Sequence, residues 1–255
     1  RDQLIISEME TARTNYDTQK NAKIRKQQEV EELKVRLDRQ QIDLTRQQRA
    51  KKDLLDQTQN SEQQFQILLA NAQAEQQAIQ DIVAGKGDEV PLGKVNTGDK
   101  IATIIQGPSV CSEGTHVHLE THKDKTLQNP ALYLKQTEVT WNLCNWWGCD
   151  SPFSYSGKLD WPVNPTIKIN QGYGITGYAK TGHYGYADEA KTIPLPHTGL
   201  DISSTDQSVK AIKEGELYRG TYQVNYGCKI KGLLRYVKVI HDDNLVSYYL
   251  HVNFN

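Results

Sequence analysis

Residues 1–84 contain neither glycine nor proline: all 18 Gly and all 8 Pro of the 255 residues lie at or beyond Gly85. Lacking any strong helix breaker, and rich in Gln, Glu, Lys and Arg, this stretch reads as helix. A basic excess is also missing, because 30 Lys+Arg face 31 Asp+Glu for a formal net charge of -1. That balance argues against a nucleic-acid partner held mainly by electrostatics. No uninterrupted apolar run approaches the roughly 18 residues that suggest a membrane-spanning helix. The sequence opens at Arg1 with neither an initiator Met nor an apolar signal segment, so any targeting sequence has been removed or was never part of it.

What the helical stretch does have is a narrow apolar seam. Val30, Leu33, Leu37 and Leu44 fall at helical spacings, as do Phe65, Leu68, Ala72, Ile79 and Ile82. Such a seam needs a partner helix, and a hairpin with a break near Asn60-Ser61 would supply one. Between Leu44 and Leu55 the phase slips onto Lys51 and Lys52, so one unbroken heptad register is not expected. From Gly85 onward, short β-branched runs (Lys100 to Ile105, Thr166 to Asn170, Val209 to Ile212, Tyr236 to His241, Leu245 to Leu250) are separated by turn formers. The expected class is α+β. A long N-terminal coiled-coil helix or helical hairpin over 1–84 precedes a β-rich domain over 85–255. Residues 135–157, which hold Trp141, Cys144, Trp146, Trp147 and Cys149, show no clear period and read as a connector.

Four cysteines allow three pairings, and the sequence leaves them open. Cys144 and Cys149 are neighbours along the chain, which would leave Cys111 with Cys228. The Cys-x-x-x-x-Cys spacing does not match a zinc ribbon. Disulfides in an exported protein are the economical explanation, with free buried thiols as the rival.

Three histidine motifs stand out. Gly114-Thr115-His116-Val117-His118-Leu119-Glu120 places two imidazoles two residues apart, so on a strand both rings share one face. Pro196-His197-Thr198-Gly199-Leu200-Asp201 places an imidazole and a carboxylate around a glycine that favours an extended turn. Tyr248-Tyr249-Leu250-His251 ends a β-type run with a further imidazole. A catalytic zinc site takes three N or O ligands and leaves a fourth position for water. One His of the first motif with His197 and Asp201 would fill it, leaving other imidazoles as base and electrophilic stabiliser. His122 and His241 read as surface residues.

These residues resemble a known family. Gly114 to Glu120 is similar to the Gly-Pro-His-Leu-His-Phe-Glu signature of lysostaphin/LytM-type zinc endopeptidases, and Asn129-Pro130-Ala131-Leu132-Tyr133-Leu134 to the Asn-Pro-x-x-Tyr-Leu behind it. Val95-Asn96-Thr97-Gly98-Asp99-Lys100-Ile101 resembles the Val-x-x-Gly-Asp-x-Ile that precedes it. Trp161-Pro162-Val163, Gln171-Gly172-Tyr173-Gly174, His197 to Ile202 and Val209 to Gly215 resemble the opening half of that domain, and Val237 to His251 its Tyr-x-His-Leu strand. The order differs: the His-x-His half (90–134) here comes before the His-x-x-x-Asp half (158–255). The resemblance is to a circular permutant, with 135–157 bridging the family's old termini, as is tolerated when termini lie close together at the surface. Asp53 to Thr58 and Phe65 to Leu69 look more loosely like the coiled coils of EnvC-, PcsB- and CwlO-type cell-wall hydrolases and activators.

Carried over position by position, the resemblance implies Zn2+ held by His118, His197 and Asp201, with His116 and His251 flanking the bound water and the scissile carbonyl. Apart from that carry-over, Tyr173 and His183 are candidate substrate contacts, His183 alternatively an inhibitory one, and Tyr173, Tyr178 and Tyr184 could line a peptide groove or pack as aromatics under the loop that holds them. The implied protein is an extracellular or periplasmic, cell-envelope metalloendopeptidase that cuts peptide bonds in peptidoglycan stem peptides or cross-bridges. Its coiled coil would tether or regulate it through a membrane or division-complex partner or through self-association. The rival is a non-catalytic coiled-coil scaffold that activates a separate cell-wall amidase. The two halves must dock, within one chain or by exchange between two.

Overall fold

The computed structural model describes residues 2–145, 148–176 and 196–254. His183, Tyr178, Tyr184, Trp146 and Trp147 lie outside the described residues. One helix, α1 (Asp2–Val83), comes first. The strands follow as β1 (Asp88–Val95), β2 (Lys100–Ile104), β3 (Val117–Lys123), β4 (Thr126–Gln128), β5 (Val139–Trp141), β6 (Cys144–Asn145) and β7 (Gly148–Cys149). Then come β8 (Ile167–Gln171), β9 (Leu200–Ser204), β10 (Ser208–Lys210), β11 (Gly215–Val224), β12 (Gly232–Ile240), β13 (Leu245–Leu250) and β14 (Val252–Asn253). The α+β class is as the sequence implies.

The chain divides into two compact units, Arg1–Ser61 and Glu62–Asn255. The division falls inside the helix rather than at its end. The hairpin alternative does not form, since α1 runs through Asn60-Ser61 without a break. In the first unit the seam residues Val30, Leu33, Leu37 and Leu44 are all exposed.

In the second unit, nine strands of the described residues form one sheet in the order β1-β11-β12-β13-β3-β9-β8-β5, with β4 added to β3. All its pairings are antiparallel except β5 with β8. A second, three-stranded sheet runs β10-β2-β14. Period-two alternation sorts the central strands onto two faces. Val117 and Leu119 of β3, Leu200 and Ile202 of β9, Val237 and Val239 of β12 and Tyr249 of β13 meet Ile104, Val209 and Val252 of the smaller sheet in the main core. The opposite face carries Leu234, Tyr236, Tyr248 and Leu250, and these pack with Ala78, Ile79 and Ile82 from the end of α1. Strands covered on both faces need apolar residues throughout, which is why β13 reads as an almost continuous apolar run broken by Ser247.

The expected partner for the apolar seam is thus, over these last turns, a sheet face rather than a helix. Its stripe is shifted accordingly: Asn71, Ala78, Ile79 and Ile82 are buried, whereas Ala72 lies exposed.

Both cysteine pairs are disulfides, Cys111 with Cys228 and Cys144 with Cys149. The first lies in the helix-facing cluster and ties the approach to β3 to the β11–β12 hairpin; the second closes the β6–β7 ribbon. Two such bonds point to an oxidising compartment. Among the described residues, no helix is long and apolar enough to cross a membrane.

Ile82 is 2% exposed against the sheet and Ile24 is 44% exposed in the first unit. Ile82→Ala is expected to cost about 2–5 kcal/mol in chemical denaturation of the second unit, and Ile24→Ala no more than about 0.5 kcal/mol.

Candidate metal centre

β3 lies between β9 and β13 of the same chain, antiparallel to both. The two halves that the sequence keeps apart therefore dock within one molecule. On β3 the alternation that buries Val117 and Leu119 in the main core turns His118, Glu120 and His122 to the helix-covered face. Register places His118 opposite Asp201 on one side and Leu250 on the other. His197 precedes β9 and is held by a two-way backbone pair with Gly174 at 2.8 Å. Gly199 makes the close approach of this turn to β3 feasible: a Cβ there would stand 2.4 Å from the Leu119 carbonyl oxygen and 2.6 Å from His118 Nε2.

Three ligand-type atoms converge. His118 Nδ1 lies 2.9 Å from Asp201 Oδ1, His197 Nε2 lies 3.1 Å from His118 Nδ1, and His197 Nε2 lies 3.3 Å from Asp201 Oδ1. Ligands of a tetrahedral ion with bonds of about 2.0–2.2 Å stand about 3.3–3.6 Å apart, so this triangle is slightly tighter than such an ion requires. The rings are aimed by what lies behind them. His197 Nδ1–H donates to the Gly172 carbonyl at 2.7 Å, which leaves its Nε2 lone pair toward the cluster. A His-His-Asp group in this arrangement could hold a metal ion.

His116 and His251 stand beside the triangle. His116 Nε2 is 3.7 Å from Asp201 Oδ1, and the His116 and His251 rings are 5.1 Å apart edge to face. His251 separates β13 from β14 with a left-handed φ of 60°, a conformation His adopts more readily than most residues. Its Nδ1 lies 3.3 Å from Ser109 Oγ, and its Nε2 lies 2.7 Å from Glu75 Oε1 of α1.

Burial and charge pull these groups in opposite directions. Burial pushes the Asp201 carboxyl up, but His116 and His197 charges and hydrogen bonds from His118 and His197 hold it well below the carboxylate range. For His118, burial acts downward, and the bonds to Asp201 and Glu120 outweigh it to raise the imidazole well above its ordinary value. His116 goes the other way, lowered chiefly by burial. Glu75 is raised by burial but lowered overall by its bond to His251 and the charge there.

Of the sequence-derived site residues, His116, His118, His197, Asp201 and His251 come together. Tyr173 instead packs against the main core and is not on the wall of the adjoining cleft, about 450 Å3 in volume and lined by Asn71, Glu75, Thr115, Asn142, Gln171 and Asp201 among others. His122 and His241, read as surface residues, are buried at 7% and 4% exposure. His241 spans the Glu214 carbonyl and Ser247 Oγ, both at 2.8 Å, and so serves as an interior strut. Sequence reasoning missed Glu75, Glu120 and Ser109. Glu120 was readable as the next residue on the His-x-His face; nothing marked Glu75 among the many glutamates of the helix.

No family model, curated protein or solved structure matches this chain.

If the triangle binds metal, Zn2+ at 100 times its Kd raises folding stability by about 2.7 kcal/mol in a thermal-shift titration. His197→Ala abolishes the rise. Gly199→Ala, whose Cβ displaces His118, weakens it; a melting temperature in the unaltered chain that ignores zinc removes the metal centre.

Proposed function

We propose that the second unit is a zinc-dependent endopeptidase of the lysostaphin/LytM type, circularly permuted, which hydrolyses peptide bonds in peptidoglycan and is regulated by its N-terminal helix. The observation that carries this reading is the convergence of His118, His197 and Asp201 from segments 79 and 83 residues apart in sequence, with two further imidazoles alongside. The donor set of two nitrogens and one oxygen suits zinc and leaves a fourth position open. A bound zinc ion would supply Lewis acidity toward the scissile carbonyl and lower the pKa of a bound water to about 7.

The chain's own residues supply the rest. His116, kept neutral by burial, is suited to take a proton from the attacking water. His251 directs Nε2 at the carboxylate of Glu75; an N–H that donates there would donate equally to the oxyanion of a tetrahedral intermediate. Glu75 thus stands where a developing negative charge would be held. The cleft beside it offers neutral amides and hydroxyls, in keeping with a peptide substrate. Two disulfides accord with a cell-envelope location outside the cytoplasm.

In this state Glu75 of the helix occupies His251. A charge-assisted hydrogen bond of this kind contributes about 1.5–3 kcal/mol, roughly ten- to a hundredfold in the population of a competent site. Release of soluble peptides from purified sacculi by the zinc-loaded chain is the deciding assay. Glu75→Gln is expected to raise the rate about tenfold or more, while His116→Ala lowers kcat by about 10²–10⁴. Stoichiometric zinc without release, in the unaltered chain and in Glu75→Gln alike, would favour the amidase-activating scaffold. The Gln substitution is a cleaner test than deleting residues 1–84, which would strip Ala78, Ile79 and Ile82 from the sheet.

A further inference from the structure

Glu120 is fully buried yet makes no approach to the cleft, and the proposed chemistry does not use it. Its two oxygens face two imidazoles: Oε1 lies 3.3 Å from His118 Nε2, and Oε2 lies 2.9 Å from His122 Nε2. Thr198, in the turn that carries His197, hydrogen-bonds the same carboxylate. We propose that Glu120 is a positioning residue of the metal centre, accepting the Nε2–H of His118 so that the Nδ1 lone pair faces His197 and Asp201, with His122 keeping the carboxylate in that orientation. This inference rests on reading His118, His197 and Asp201 as metal ligands.

The chemistry is that of tautomers. A neutral imidazole carries one proton, and whichever nitrogen holds it cannot also bind a cation. His197 settles the matter with a backbone carbonyl on its Nδ1 side. For His118 the roles of the nitrogens are reversed, and Glu120 takes the place of that carbonyl on the Nε2 side. An acceptor behind a ligand imidazole fixes its ring and raises its basicity.

A merely structural ion pair is a poorer account of the same contacts. Burying an ionised carboxylate costs several kcal/mol, and Glu120 sits opposite Tyr248 in register, where a leucine would simply extend the apolar cluster of Tyr248 and Leu250. His122 has no task of its own among the described residues: its Nδ1 is buried without a hydrogen-bond partner, and its ring otherwise meets only the edge of Tyr248, at 5.3 Å. The row His122, Glu120, His118 follows one strand face and ends at the ligand cluster.

The test uses the full chain, zinc affinity by competition with a chromophoric chelator, and nitrogen-15 spectra of labelled histidine. In the zinc-loaded unaltered protein, His118 is expected to carry its proton on Nε2. Glu120→Leu should weaken zinc binding by about 10- to 100-fold with the fold retained by circular dichroism. Glu120→Gln, whose amide oxygen can still accept the proton, should lose less, and His122→Phe should lose a part. Should Glu120→Leu not fold, the Gln variant and the tautomer of the unaltered protein decide. A proton on His118 Nδ1, or unaltered affinity in the folded Glu120 variants, overturns the inference while leaving the metal centre standing. No zinc binding by the unaltered chain overturns the metal centre and the inference together.

Discussion

The second unit depends on β3 being held between β9 and β13. One antiparallel register on each side decides, by alternation alone, that Val117 and Leu119 enter the main core and that His118, Glu120 and His122 face the helix. A slip of one residue in either pairing would exchange the two sets, burying three polar side chains between the sheets and moving the valine and leucine to the helix-covered face. The apolar core therefore specifies the polar site. The same register sets Asp201 beside His118, so only His197, in the turn before β9, has its position set outside the strand pairing.

The polar face is expensive to build. Asp201, Glu120 and Glu75 are set among His116, His118, His197, His122 and His251 where little water reaches, and an unpaired charge there would cost several kcal/mol. Each carboxylate is answered by at least one imidazole: Asp201 by His118 and His197, Glu120 by His118 and His122, Glu75 by His251. Such a set is close to balanced, yet it keeps protons and lone pairs in reserve. Perturbed, mutually paired groups of this kind are common at functional sites.

Much of this was legible in the chain. The absence of Gly and Pro before Gly85 marked the helix, and the His-x-His spacing placed two rings on one face. The His-x-x-x-Asp turn with its glycine pointed to the second half of the centre. Other features depended on information that no local pattern contains. The stripe Phe65, Leu68, Ala72, Ile79, Ile82 was read for a helical partner, but a flat sheet face selects Asn71, Ala78, Ile79 and Ile82 and leaves Ala72 outside. Glu75 gains its meaning from His251, 176 residues later. Of the two roles open to Tyr173, groove lining and aromatic packing, its partly buried ring takes the second against the main core. His122 is buried because β3 alternation continues past His118 and Glu120, and His241 because its partners, the Glu214 carbonyl and Ser247 Oγ, lie 27 and 6 residues away.

Under the proposed reading, how the helix would release the site follows from comparing two magnitudes. Removing the end of α1 from the sheet would expose Ala78, Ile79 and Ile82, and fully burying a side chain such as isoleucine is worth about 1.5–3 kcal/mol. Two isoleucines alone thus resist departure by about 3–6 kcal/mol, before two polar anchors are counted: the Lys229 N–H donates to Asn71 Oδ1, and the Tyr222 hydroxyl of β11 donates to Asp81. Turning the Glu75 side chain, 21% exposed, away from His251 breaks one charge-assisted bond of about 1.5–3 kcal/mol. The smaller term wins. Opening by side-chain rotation, with the helix still docked, is the lower path, and the helix then acts as a fixed wall of the cleft rather than as a removable lid.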